Sequence, residues 1–281
     1  MSTAPLLICT AGGVAGLMSA VWLFSLWRRD VSVVDILWGL GFACVALLAH
    51  SLAGEGRRRA ALLTALTVVW GVRLALYLLW RNWGQPEDYR YQAMRRHHGE
   101  RFALVSLVTV FGLQGVLMWL ISLPVQLGQL NAPPNELGWL DGLGLALWLI
   151  GFGCETIGDA QLARFKSDPQ NKGKVMDRGL WRYTRHPNYF GDALLWWGLY
   201  LIAASTPAGR WALFSPILMT GLLLRVSGVP LLERKLVKTR PAYAEYIRRT
   251  SSFVPDLGRF VRSFRVSVKN DDDQTDHHQR S

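Results

Sequence analysis

The sequence has few cysteines, and their positions argue against the two structures that cysteines most often build. The chain of 281 residues contains three, Cys9, Cys44 and Cys154, and each lies inside an apolar run. An odd number of cysteines at these positions does not indicate a disulfide framework, and no ligand spacing typical of a zinc site is present. His97 and His98 are neighbours, so on a helix they point in different directions. We therefore predict no bound metal.

Charged residues are also scarce, at 18% of the chain, whereas 51% of the residues are hydrophobic. Crossing the hydrocarbon core of a membrane takes about 20 apolar helical residues, and backbone groups in lipid must be hydrogen-bonded within the chain. Long apolar runs without strand-like alternation predict an all-α fold, a polytopic membrane bundle of about seven transmembrane helices. The predicted spans are residues 5–27, 33–53, 60–80, 102–127, 137–158, 189–206 and 210–230.

The loop charges predict an orientation with the N-terminus outside and the C-terminus in the cytoplasm. Fourteen lysines and arginines then lie in cytoplasmic loops and four on the opposite side, as the positive-inside rule favours. Arg57, Arg58 and Arg59 are the clear exception. Topology and anionic headgroups account for the net charge of +11, so we predict membrane lipids as partners and no nucleic acid.

The length suits one membrane domain, which we place at residues 1–263. Within it, the amphipathic segment 231–263 predicts a cytoplasmic helix. Residues 264–281, which contain no apolar residue from Lys269 onward, predict a disordered tail. No internal repeat of the kind found in many transporters is present.

Ionisable side chains occur inside or at the ends of five predicted spans, where burial in lipid is costly. Any single one of these groups is explained by structural pairing. Their number predicts a polar cavity that opens to the cytoplasm. The polar residues concerned are Asp35, Arg73, Glu155, Asp159, Asn188, Asp192, Arg225 and Glu233.

The loop between the fifth and sixth predicted spans combines basic residues, turn formers and aromatics in DAQLARFKSDPQNKGKVMDRGLWRYTRHPNYFGD. Basic side chains beside a helix N-terminus suit phosphate groups. Asn188 follows Pro187 at a helix start, where it can cap the helix or bond a ligand amide. An ordinary cytoplasmic loop would explain the charge, but not the dense TRHPNYFGD segment.

Two parts of this loop, GLWRYTRHPNYFGD and the preceding FKSDPQNKGK, resemble the membrane steroid 5-alpha-reductase family, in particular its bacterial branch. VVDILWGLGF, RNWGQPEDYRYQAMR and YAEYIRRTSSFVP extend the resemblance over residues 30–257. The resemblance implies a seven-helix bundle that binds NADPH from the cytoplasmic side and reduces an activated carbon–carbon double bond. We therefore expect a reductase in a bacterial inner membrane, acting on an apolar, lipid-like substrate that enters from the bilayer.

The resemblance also implies a cofactor site. Asn188 matches an Asn that contacts the nicotinamide end, and Asp159 matches an acidic residue that holds the adenosine portion. Glu155 and Glu233 depart from the family pattern, which has Asn and, in some members, Tyr. The remaining predicted cofactor-binding residues are Lys166, which replaces a phosphate-binding Arg of the family, Lys172, Lys174, Tyr183, Arg185, His186 and Arg225.

Reduction of an enone has its own requirement, because hydride addition to the beta carbon leaves a developing enolate oxygen that needs a hydrogen-bond donor. A tyrosine tuned by a carboxyl group meets it. The resemblance implies an acid on the second helix and a tyrosine on the third, for which Asp35 and Tyr77 are the nearest equivalents. Tyr89 or Tyr91 could replace Tyr77 if their loop folds over the cavity.

Two other functions remain open. Isoprenylcysteine-type membrane methyltransferases share an RHP-x-Y-x-G segment, where they bind S-adenosylmethionine, but that methyl donor has no phosphates and the basic loop favours NADPH. The third alternative is a non-catalytic membrane protein such as a transporter or scaffold. The absence of repeats argues against transport.

Overall fold

The computed structural model describes residues 2–54, 58–130, 137–226, 228–256 and 258, which are largely helical. No β-strand occurs within these ranges, and an isolated bridge joins Thr184 and Ser251. The all-α prediction is therefore confirmed. The helices are α1 (Thr3–Arg28), α2 (Val33–Ala53), α3 (Arg58–Asn82), α4 (Tyr89–Ile121, with short 3-10 and π segments), α5 (Leu123–Leu127), α6 (Trp139–Ser167), α7 (Pro187–Ala204), α8 (Phe214–Gly221), α9 (Val229–Thr239) and α10 (Tyr243–Arg249).

Five of the described helices, α1 to α4 and α6, are long and apolar enough to cross a membrane. They overlap the first five predicted spans and indicate an integral membrane protein. However, α4 runs from Tyr89 to Ile121 where 102–127 was predicted, and α6 continues past its predicted end to Ser167. Helix α7 coincides with the sixth predicted span but is not among the five. The predicted span 210–230 is divided into a 3-10 turn, α8 and a π turn (Leu222–Val226). Pro216, which has no N–H to donate, lies in the first turn of α8.

The chain divides into two compact units, of which the first contains Met1–Trp148 and Trp196–Met219. Its helices α2 and α3 approach closely because Gly39 faces Gly71: a Cβ on Gly39 would lie 2.4 Å from the Gly71 carbonyl oxygen. Phe42, Trp70 and Trp196 form a fully buried aromatic core, with ring centroids between 4.9 and 5.5 Å apart. Small residues thus set the helix separation and aromatic rings fill the adjoining space.

A buried ion pair also stabilises the first unit. The Arg59 Nε atom donates to Asp141 Oδ1 at 2.8 Å, and its Nη2 atom donates to Asp141 Oδ2 at 2.9 Å. Both side chains are shielded from solvent. Arg59 is one of the arginines that oppose the predicted orientation, so at least this charge is neutralised within the protein; Arg57 lies outside the described residues.

The second unit contains Leu149–Leu195 and Thr220–Ser281, of which the described part ends at Gly258. Gly151 of α6 and Gly191 of α7 meet here, because a Cβ on Gly191 would lie 2.4 Å from the Gly151 carbonyl oxygen. The predicted cytoplasmic helix in 231–263 is two helices, α9 and α10, separated at Arg240–Ala242, where Pro241 interrupts the pattern. The predicted tail, residues 264–281, lies outside the described residues.

Candidate functional site

A carboxylate and a phenol come together at the start of α2 in the first unit. The Tyr91 hydroxyl donates a hydrogen bond of 3.0 Å to Asp35 Oδ1. Arg90 Nη2 donates to the other carboxylate oxygen at 3.0 Å, forming an ion pair. Tyr91 is only 6% exposed, whereas Arg90 and Asp35 remain partly accessible. The group is a buried phenol bonded to a half-buried carboxylate, with a cation beside it.

The segment before α4 is tied directly to the segment before α2, and this fixes the pair. Glu87 accepts hydrogen bonds from the Val31 backbone N–H at 2.9 Å and from Arg95 at 2.8 Å. The Asp88 backbone N–H donates to Ser32 Oγ at 2.7 Å, and the Asp88 carboxylate caps the first turn of α4. The loop therefore packs against the start of α2 and brings Tyr91 to Asp35.

Gln114 adds a third polar group to this pair. Its Nε2 atom donates to the Tyr91 hydroxyl oxygen at 3.4 Å. Gln114 follows a π turn at Leu107–Gly112 within α4, and such turns are frequent at functional sites. Sequence reasoning did not select Gln114, although a lone amide in an apolar run was a usable signal.

Tyr77 lies in a different setting. Its ring is half-buried, with the guanidinium of Arg73 5.3 Å and that of Arg81 5.7 Å from the ring centroid. Trp80 lies beside it, with the ring centroids 6.1 Å apart. Of the tyrosines named from the sequence, the structure thus brings Tyr91 to Asp35.

In the second unit, two predicted cofactor-binding residues contact each other. Asn188 Nδ2 donates to Asp159 Oδ1 at 3.1 Å, and Asp159 is 4% exposed. Gly158 lets α6 lie close to the start of α7. A Cβ at this position would be 3.2 Å from the Pro187 ring, which is closer than an ordinary van der Waals contact. The Asn188 Oδ1 atom is buried and has no hydrogen-bond partner within the described residues. The hydrogen bond from Asn188 Nδ2 to Asp159 thus fixes the position of Asn188 Oδ1, which can accept a hydrogen bond.

Arg185 and His186 are engaged in a compact network with Glu233. Arg185 Nε donates to Glu233 Oε1 at 2.7 Å, and its Nη1 atom donates to the carbonyl oxygens of Ile247 and Thr250. His186 Nε2 lies 3.0 Å from the same Glu233 oxygen. Burial would raise the pKa of Glu233, but the hydrogen bonds from His186 and Arg185 outweigh burial and hold it below its ordinary value. Glu233, a departure from the family pattern, is thus the counterion of two predicted site residues.

The other predicted cofactor-binding residues differ in how exposed they are. Lys166, Lys172, Lys174 and Arg225 are exposed. Tyr183 is half-buried, and its carbonyl oxygen accepts from the Asp256 backbone N–H at 3.0 Å.

A family model described as "Protein of unknown function (DUF1295)" matches residues 21–250. A protein of Schizosaccharomyces pombe named as uncharacterized is 25% identical to this chain, in an alignment that covers 85% of this chain and 76% of that protein. No solved structure matches the chain. Because the family model covers most of the sequence, the chain belongs to the DUF1295 family, which is associated with steroid 5-alpha-reductase-like membrane proteins.

Proposed function

We propose that the protein is a membrane-embedded reductase, related to the steroid 5-alpha-reductases, that uses NADPH to reduce an activated carbon–carbon double bond in a lipid-like substrate. The observation that carries the proposal is the hydrogen bond from the Tyr91 hydroxyl to the Asp35 carboxylate. A buried phenol coupled to a carboxylate is what protonation of an enolate requires.

The chemistry follows from the surroundings of Tyr91. Bound NADPH would supply the hydride for the beta carbon. In our proposal the Tyr91 hydroxyl turns from Asp35 to the substrate carbonyl oxygen and donates to the negative charge that develops there. Arg90, 3.0 Å from Asp35, offsets negative charge on the acid–phenol pair. A proton from solvent water, transferred to the alpha carbon of the enolate, then completes the reduction.

The second unit offers groups that fit the cofactor. The unpartnered, buried Asn188 Oδ1 suits the amide N–H of a nicotinamide, and the bond to Asp159 holds the Asn188 side chain in place. The exposed Lys166, Lys172 and Lys174 can reach phosphates. Arg185 already bonds Glu233 and two backbone carbonyls, so we assign it to positioning the start of α7, which carries Asn188.

The alternatives fit these features less well. Transfer of a methyl group from S-adenosylmethionine creates no enolate, so a buried phenol–carboxylate pair has no evident task in a methyltransferase. A non-catalytic membrane protein has no evident use for a phenol held between a carboxylate and an amide. Both nevertheless predict distinct ligand responses and are included in the test below.

We further propose seven spans with the N-terminus outside, in a bacterial inner membrane. Trp27 and Trp80, which are exposed, lie in the last turns of α1 and α3, beside Arg28 and Arg81, as expected of the cytoplasmic interface in this orientation. The pairing of Arg59 with Asp141 weakens the strongest argument for the opposite orientation.

The test is a thermal unfolding titration of the full chain in detergent with NADPH and, separately, S-adenosylmethionine. A ligand that binds the folded state raises the unfolding midpoint by mass action. We expect NADPH to stabilise the wild type and Asn188→Ala to respond only at concentrations at least about tenfold higher. Asn82→Ala, at the end of α3 in the first unit and outside the proposed cofactor site, is the control. A response to S-adenosylmethionine alone would favour the methyltransferase, and no response to either would favour the non-catalytic protein.

A further inference from the structure

Four exposed arginines lie at the end of α1 and near the start of α4 in the first unit, and the proposed reaction makes no use of them. They are Arg28, Arg29, Arg96 and Arg101. None of their side chains forms an ion pair or hydrogen bond with the part of the chain that the structure describes. Two nearby arginines are already paired, Arg90 with Asp35 and Asp88, and Arg95 with Glu87. The four exposed arginines are therefore available to a ligand.

Two contacts bring these arginines together although they belong to separate segments of the chain. The Trp22 indole N–H donates to the Ala103 carbonyl at 3.0 Å, and Arg95 Nη2 donates to the Arg29 carbonyl at 3.4 Å. Residue numbers rise along α1 as they fall along α4, so the two helices are antiparallel here. The end of α1 therefore lies level with Arg96.

The exposed arginines outnumber the unpaired acidic groups beside them. Asp30 and Glu100 are the acidic neighbours, and neither forms an ion pair with a described residue. Four positive and two negative charges leave an excess of two positive charges. The positive-inside rule concerns the number of basic residues in the loops of one side. It does not require that arginines from two helices meet, so their meeting needs a separate explanation.

Exposed apolar side chains continue from the arginines along both helices. On α1 these are Leu23, Phe24 and Trp27, of which Trp27 is 77% exposed, and on α4 they are Leu104 and Val108, each 69% exposed. Indole rings favour the level of the lipid headgroups, and aliphatic side chains favour the level of the acyl chains. The sequence of cations, an indole and aliphatic side chains thus matches the sequence of groups along a phospholipid.

We propose that an anionic phospholipid binds where the end of α1 meets the start of α4, with its phosphate on Arg28, Arg96 and Arg101 and its acyl chains along the exposed apolar residues of both helices. Guanidinium groups bind phosphate oxygens through paired N–H donors. A soluble phosphate compound would leave the adjoining apolar side chains uncovered, so a lipid fits this surface better. The assignment does not depend on the proposed reductase activity.

The experiment titrates the full chain, in an uncharged detergent, with phosphatidylglycerol and separately with phosphatidylcholine of the same acyl chains. Native mass spectrometry counts the lipids bound at each concentration. We expect the wild type to bind phosphatidylglycerol more tightly. Its affinity should fall about fivefold in Arg28→Gln and at least about tenfold in Arg96→Gln/Arg101→Gln, because each arginine attracts the anionic headgroup. Arg58→Gln, an exposed position at the start of α3 and outside the proposed site, is the matched control.

Weaker binding of phosphatidylglycerol in both site variants, with Arg58→Gln unchanged, supports the site. Wild-type affinity in either site variant, an equal loss in Arg58→Gln, or equal binding of the two lipids by the wild type overturns it. Arg96→Lys/Arg101→Lys retains both charges and should retain most of the binding, which separates loss of charge from loss of fold. Lipid binding at this site without any response to NADPH would count against the reductase alone.

Discussion

The Tyr91 hydroxyl and the Asp35 carboxylate form a hydrogen bond of 3.0 Å across 56 positions of the sequence. Helix capping does not explain this bond. The cap of α4 is Asp88 and not Tyr91, and Asp35 lies in the first turn of α2 without capping it. Gln114 on α4 bonds the same hydroxyl. In the proposed reaction this phenol exchanges its acceptor, Asp35, for a substrate oxygen.

The first prediction concerns this phenol. Tyr91→Phe keeps the ring and its packing but removes the proton donor, so product formation should fall by about 100-fold or more. The measurement is lipid profiling of cells that express either form, quantifying the species heavier by two hydrogens. Tyr77→Phe is the control and should retain activity. Loss of product in Tyr77→Phe with full activity in Tyr91→Phe would reverse our choice of tyrosine.

The second prediction concerns the buried ion pair of the first unit. Asp141→Asn leaves the Arg59 charge buried without its counterion, which typically costs about 3–5 kcal/mol. We expect a clearly lower unfolding midpoint in detergent, and partial recovery when Arg59→Met is added, because the double variant buries no charge. Arg58→Met, at the exposed neighbouring position, serves as the control. Equal stability of Asp141→Asn and wild type would show that the pair contributes little.

Much of the helical framework was predictable because run length and hydropathy determine it directly. Helices α1 to α4 and α6 follow the predicted spans. The division of 210–230 was not predictable in this way, because a hydropathy average does not respond to the π turn at Leu222–Val226 or to Pro216. A hydropathy average identifies segments apolar enough to lie in lipid. It does not show where the hydrogen-bonding pattern changes from α to π.

The site residues were predictable as residue types, whereas their partners were not. Asp35 and Asn188 stood out as polar groups at helix starts, and the structure gives each a polar partner. Arg185 was predicted to bind cofactor, yet its nearest acidic group is Glu233, 48 positions away in the sequence. Basic residues in a loop indicate that a possible ligand is negatively charged. Only the fold shows which of these residues already pair with an acidic group of the protein.

The third prediction concerns the contact between α2 and α3. Gly39→Ala places a methyl group 2.4 Å from the Gly71 carbonyl oxygen, so the helices must separate, at a cost of about 1–3 kcal/mol. Gly12→Ala is the matched control, since nothing lies within 4 Å of a Cβ at that helical position. We expect a lower unfolding midpoint in detergent for the first variant and no decrease for the second. An unchanged midpoint in both would mean that α2 and α3 tolerate a wider separation.

The last prediction links Glu233 to pH. Burial would raise its pKa, but hydrogen bonds from His186 and Arg185 hold it below the ordinary 4.5. The folded state therefore binds fewer protons here than the unfolded state, so the stabilisation is complete above the ordinary pKa and lost as pH falls through the lower folded value. Glu233→Gln, which leaves Arg185 without a carboxylate, should unfold at a clearly lower temperature at pH 7.

This deficit should shrink as the pH is lowered below 4.5, because Glu233 of the wild type then also becomes neutral. Glu245→Gln, an exposed position on α10, should follow the wild type at every pH. The measurement is the unfolding midpoint of the wild type, Glu233→Gln and Glu245→Gln in one detergent, from pH 7 to below 4.5. A deficit of constant size would show that Glu233 stabilises the fold through its packing, and that its charge does not hold Arg185 and the start of α7.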